Sequence, residues 1–156
     1  MKMDEITADL SSRAFDFFYW FSRFEFALKE NGYLKSHQSG AKAEPGWEEF
    51  VVKWNIHYLP SLKAKELLAS PPERQIVLGN DTLDWKSVGL ADCRSELEKI
   101  VRLIKTVRNN LFHGGKHGGA GWDDAKRTES LLVLSKDLLD EFAVLASIEA
   151  DYYQHY

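Results

Sequence analysis

Apolar residues spaced three and four positions apart run through three long segments of the chain, and this spacing constrains the fold more than any other feature. Because an α-helix turns about 100° per residue, such spacing places apolar side chains on one helical face. In the segment 4–31 the repeated positions are Leu10, Ala14, Phe17, Phe21, Phe24 and Leu28. In the segment 91–112 they are Leu97, Ile100, Ile104, Val107 and Leu111. In the last segment, after Asp124, they are Leu131, Leu134, Leu138, Phe142 and Leu145.

Helical spacing also returns between Trp47 and Ala69, where Pro60 is expected to kink or split the helix. The stretch from Ser70 to Trp85, SPPERQIVLGNDTLDW, carries a turn signal at 79–81 and is interpreted as a connection. QIVL could form a short extended piece, but no further strand pattern predicts a sheet to receive it. The sequence therefore predicts an all-α fold, an antiparallel bundle of four main helices with a short irregular insert between the second and third. A single domain is expected over residues 1–156.

The expected helix boundaries follow from capping residues. The third helix should start near Ala91, with Asp92 or the preceding loop as its cap. Asp123 and Asp124 place negative charge where the fourth helix should begin, and that helix is expected to extend toward the C-terminal tyrosines. The first helix carries additional aromatic residues at 18–20, so a second apolar face either joins the core or packs against another subunit.

Composition excludes several classes of protein. Hydrophobic residues make up 44% of the chain and aromatic residues 13%, which argues against disorder. The formal charge of −4 provides no global attraction for nucleic acid or an anionic membrane, so a polyanion needs a local basic patch. Cys93 is the only cysteine, which suits a reducing compartment. Neither a signal peptide nor a membrane span is expected, and we predict a cytoplasmic protein.

Polar and titratable residues are concentrated where the third helix should end, in the stretch VRNNLFHGGKHGGAGW from Val107 to Trp122. His113 can exchange protons near neutral pH, and Arg108 offers donors suited to a phosphate. Asn109 could orient either group. These three are the candidate catalytic residues for metal-free cleavage of RNA by its 2′-hydroxyl. The residues expected to bind substrate are Lys105, Lys116 and His117.

The geometry of a straight helix does not bring the two main candidates together. Arg108 and His113 lie roughly 140° apart around the axis of an ideal helix. They could converge if the last turn unwinds into the glycines that follow, or if two copies of the helix meet across a two-fold axis.

Other interpretations of the same residues remain open. Cations near a helix C-terminus often serve only as partners of the helix dipole. A metal site formed by His113, His117 and either Asp123 or Asp124 is possible, although the intervening glycines break the helix that would align the histidines. The glycine loop could also hold the phosphate of a free nucleotide.

The residues Arg108-Asn109-Asn110-Leu111-Phe112-His113 resemble the motif of the HEPN family (higher eukaryotes and prokaryotes nucleotide-binding domains). In that family an arginine is followed by a polar residue and, four to six residues further on, by a histidine near a helix end. The Gly-Gly-Lys at 114–116 is also typical of the family, and FSRFEFALKENGY, residues 21–33, is similar to the first helix of some bacterial members.

The resemblance implies a helical bundle that forms a homodimer, in which two Arg-His motifs line one cleft. It further implies a metal-independent endoribonuclease without a cofactor, acting in a toxin–antitoxin or other defence context with RNA as substrate and an antitoxin as possible partner. Members silenced by adenylylation carry a tyrosine two residues after the histidine, where this chain has Gly115, so that regulation is not expected. Some members are non-catalytic, which keeps an interaction or nucleotide-binding module as the alternative.

Overall fold

The computed structural model describes residues 7–113 and 125–154, with only the backbone described for His113. This part of the chain is mostly helical, as predicted, and it also contains one β-hairpin. The elements are α1 Ala8–Glu30, α2 Trp47–Trp54, α3 Leu62–Ala69, β1 Glu73–Leu78, β2 Thr82–Ser87, α4 Glu96–His113, α5 Ala125–Ala146 and α6 Glu149–Tyr153. Within those ranges, no helix is both long enough and apolar enough to cross a membrane.

The centre of the core is an aromatic cluster around Phe24 of α1, which is fully buried. Its ring lies 5.0 Å from that of Trp47 and 5.6 Å from that of Phe50, both on α2. The rings of Phe142 on α5 and Tyr152 on α6 lie 6.3 and 6.0 Å away. Aromatic pairs at such distances each add about 0.5–1.5 kcal/mol beyond the area they bury. The apolar face predicted for the first helix therefore holds four helices together.

The relative direction of the helices departs in one respect from an antiparallel bundle. Near the start of both helices, Arg13 of α1 lies 3.8 Å from Glu129 of α5. Near their ends, Phe24 of α1 packs against Phe142 of α5. The two helices therefore run in the same direction.

The expected break at Pro60 is confirmed, since it separates α2 from α3. The hydroxyl of Ser61 accepts a hydrogen bond from the backbone of Ala64 at 3.1 Å and caps α3. At the start of α2, Gly46 passes so close to the backbone of Leu34 that an added Cβ would lie 2.6 Å from it. A glycine is therefore needed where the loop after α1 closes against α2.

The prediction that residues 70–85 form only an irregular connection is wrong. β1 and β2 pair antiparallel in register from Glu73–Ser87 to Leu78–Thr82. The turn between them uses Asn80 and Asp81 at φ of 60° and 58°, a conformation that these two residue types tolerate. All side chains of both strands are exposed or half-buried. Polar and apolar residues alternate in TLDWKS but not in ERQIVL, so only one of the two strands carries the pattern by which a strand is usually recognised.

Two predicted helix ends also need correction. α4 begins at Glu96 rather than near Ala91, because the hydroxyl of Ser95 accepts from the backbone of Glu98 at 3.2 Å and acts as the cap. The fourth helix does not continue to the C-terminal tyrosines. It ends at Ala146, and Ser147 adopts a left-handed φ of 55° before α6 begins. Asp123 and Asp124, the expected start of this helix, lie outside the described residues.

Candidate functional site

The guanidinium of Arg108 lies between two aromatic rings near the end of α4. Its central carbon is 5.7 Å from the ring centre of Phe21 on α1 and 5.3 Å from that of Phe112. One of its nitrogens donates to the side-chain oxygen of Asn109 at 3.0 Å. Among the residues that the structure describes, no carboxylate forms an ion pair with Arg108. Its positive charge is therefore oriented by rings and an amide, and it is not neutralised by these neighbours.

Phe112, one of the two rings beside Arg108, belongs to an exposed aromatic patch, which we define as Phe15, Phe18, Tyr19 and Phe112, whereas Phe21 is buried. Phe18 and Phe112 meet edge to face at 5.1 Å, which joins the middle of α1 to the end of α4. The exposed fractions of Phe15, Phe18 and Phe112 are 67%, 43% and 48%. Part of the second apolar face predicted for α1 is thus left outside the core. Surface of this kind often marks an interaction site.

Lys105 and Asn109 lie four residues apart on one face of α4, and the position of His113 continues that face. Both Lys105 and Asn109 are exposed. The helix remains regular through His113, so positions 108 and 113 stay about 140° apart. Up to residue 113, the last turn therefore does not unwind to bring the two groups together. The glycines that follow, at 114–115, lie outside the described residues.

Several predicted site residues lie beyond the part of the chain that the structure describes. They are Lys116, His117, Asp123 and Asp124, together with the side chain of His113. They include two of the residues expected to bind phosphate and the residues of the alternative metal site. Within 7–113 and 125–154, no group of three or more His, Cys, Asp and Glu side chains is arranged to hold a metal ion.

Asn110 is a residue at this site that the sequence did not single out. It is only 8% exposed, and its amide nitrogen donates to the backbone carbonyl of Glu73 at 2.6 Å. It thereby fastens the start of the hairpin to the helix end that carries Arg108. The signal was present, since position 110 lies three residues after the buried Val107 and so falls on the apolar face of α4.

A groove between α2 and α4 begins beside Asn109. Its volume is about 570 Å³. We call it the α2–α4 groove, and its wall on α4 includes Lys105 and Asn109, with Arg94 in the segment before that helix. Lys105 and Arg94 form no ion pair with any described residue. Arg102 differs, because it donates twice to the carboxylate of Asp92, at 2.6 and 3.0 Å. The groove is therefore an open, partly basic surface beside the motif.

No family model matches this chain, and comparisons with curated proteins and with solved structures also found no match. The resemblance to the HEPN family therefore stays a prediction. It depends on the short motif in α4, on residues 21–33 and on the helical fold.

Proposed function

We propose that this protein is a metal-independent endoribonuclease of the HEPN type, whose active site forms where two copies meet. The observation that supports the proposal is that Arg108 is oriented by its neighbours but carries an unneutralised charge among the described residues. Its guanidinium is held by Phe21, Phe112 and Asn109 beside an exposed helix end, and no carboxylate among the described residues pairs with it. A positive charge that is oriented in this way is suited to an anionic transition state, because its orientation need not change during the reaction.

In the proposed reaction, the 2′-hydroxyl of a ribose attacks the adjacent phosphorus and the bond to the 5′-oxygen of the next nucleotide breaks. One His113 accepts the hydroxyl proton and the other donates a proton to the leaving oxygen, so protons balance over the step. Arg108 stabilises the negative charge that gathers on the phosphoryl oxygens. Asn109 is a positioning residue, since its side-chain oxygen accepts from Arg108. The products are a 2′,3′-cyclic phosphate and a free 5′-hydroxyl.

The proposed dimer addresses the separation of the two groups on α4. A two-fold axis near the helix end lets Arg108 of one copy approach His113 of the other. The aromatic patch supports this arrangement, because its exposed rings adjoin Arg108 and would be covered by the partner. A toxin or defence context in the cytoplasm, without a cofactor and with an antitoxin as protein partner, completes the proposal.

Cleavage of single-stranded RNA in EDTA tests this function. We expect the wild-type protein to produce cyclic-phosphate ends, and Arg108→Ala to lower the rate by about a hundredfold or more, as loss of a transition-state donor does. His113→Gln should lower it by a similar factor or more. Arg74→Ala, which removes an exposed arginine of β1, is the matched control and should cleave normally. Equal cleavage by all variants, or none by wild type, would refute the proposal.

The exposed aromatic patch also favours a second function, that of a non-catalytic interaction module. In that case the rings bind another protein chain, and Arg108 serves only to pack them. Phe18→Glu would then abolish the association, while RNA remains uncut by every variant. RNA cleavage that depends on Arg108 and His113 would exclude this alternative.

A further inference from the structure

The α2–α4 groove has an apolar floor and a polar rim. Val51 of α2 and Val101 of α4, of which the latter is 5% exposed, form part of the floor, and Val52 stands at the edge with 64% of its surface exposed. A volume of about 570 Å³ lies within the usual range for sites that hold small organic groups. The groove can therefore accept a flat, partly apolar group such as a nucleobase.

The charges around the rim are not equally available to a ligand. Glu98 is occupied, because its carboxylate accepts from the backbone of Arg94 at 2.8 Å and lies 3.8 Å from Arg102. Arg102 is in turn neutralised by Asp92. The remaining charged groups are the cations of Lys105 and Arg94 and the carboxylate of Glu48 on α2. The α4 side of the groove is therefore the side that can bind a phosphate.

The groove also points toward the motif. Its wall follows one face of α4 from Glu98 through Lys105 to Asn109, which at 1.5 Å per residue is about 16 Å. The position of His113 is one turn further along the same face. A strand bound along this wall would thus reach the helix end at which we place the chemistry.

We propose that the α2–α4 groove binds the single-stranded RNA segment next to the phosphodiester that is cut. A base lies on the floor at Val51 and Val101, and its backbone phosphate is bound by Lys105 and Arg94. The unused amide nitrogen of Asn109 is available to the same strand. The inference extends the proposed ribonuclease function, and its binding test does not require cleavage.

The experiment measures binding of a fluorescent, fully 2′-O-methylated oligonucleotide, which lacks the attacking hydroxyl and stays intact. Lys105→Glu reverses a rim charge, and Val52→Trp fills the groove from an exposed position, so neither is expected to unfold the chain. Each should raise Kd by about fivefold or more at low salt. Lys105→Glu should also reduce the salt dependence of binding, by about 0.7 in the logarithmic slope for each lost phosphate contact.

Two matched controls are available on other surfaces. Lys65→Glu makes the same charge change on α3, and Val144→Trp makes the same size change on α5 at a site that is 60% exposed. Both should bind like wild type. The inference is overturned if the oligonucleotide does not bind, if the controls weaken binding as much as the groove variants, or if mononucleotides or an acidic peptide bind equally well. If RNA binds through the groove but is never cleaved, the proposed nuclease activity is refuted and the proposed RNA-binding role of the groove is supported.

Discussion

Two neighbouring asparagines on α4 provide a sharp test of how this site is built. Asn110 is buried and its amide donates to the carbonyl of Glu73, whereas Asn109 is exposed and its side chain contacts Arg108. Substituting either by alanine makes the same chemical change in the same helix. The gain in helix propensity, about 0.5–0.7 kcal/mol, is therefore common to both and cancels in their difference.

The structure predicts how large that difference is. Asn110→Ala removes a hydrogen bond worth about 1 kcal/mol and leaves the half-buried carbonyl of Glu73 without its donor, which adds a cost of similar size. Asn109→Ala removes only an exposed contact, which is worth a few tenths of a kcal/mol. We expect Asn110→Ala to be less stable than Asn109→Ala by about 1–2 kcal/mol.

Urea unfolding at equilibrium, with both variants compared with wild type, measures these free energies. Hydrogen exchange should show that Asn110→Ala exposes the amides of β1 and β2 more often, because the hairpin has lost its attachment to α4. RNA cleavage should respond in the opposite order, with the larger loss in Asn109→Ala. A stability difference below about 0.5 kcal/mol would show that the hydrogen bond to Glu73 does not support the hairpin.

Two further predictions concern contacts away from the motif. Tyr152→Phe removes a buried hydroxyl that donates to Asp140 at 2.9 Å. Urea titrations should show that this change lowers the free energy of unfolding by about 1–2 kcal/mol. An unchanged free energy would mean that a water molecule donates to Asp140 in place of the hydroxyl. Hydrogen bonds from His37 and from the backbone of Leu34 hold the pKa of Glu49 below its ordinary value of 4.5. The ionised Glu49 carboxylate therefore stabilises the fold above pH 4.5, and this stabilisation is lost as the pH falls. Glu49→Gln should therefore lose less stability than wild type between about pH 5 and pH 3, and an unchanged acid dependence would contradict this.

Predictions from periodicity succeeded where one face of a helix is buried. The apolar faces predicted for the first and third helices lie in the core, as the full burial of Phe24 and Ile104 shows. Pro60 separates two helices as expected. The hairpin was missed because ERQIVL, the sequence of β1, does not alternate, and because strand pairing and the hydrogen bond from Asn110 to Glu73 are made by backbone groups of the hairpin. A pattern of apolar residues cannot report contacts that are made by backbone groups.

At the candidate site, the sequence by itself determined which functional groups are present. The types and order of Arg108, Asn109 and His113 are a local property of one helix. Only the tertiary structure decided their surroundings. The ring of Phe21 beside Arg108, and the groove that α2 forms beside Lys105, bring together residues that are far apart in the chain. Such proximity arises from the packing of whole helices on a shared core, so local spacing does not encode it.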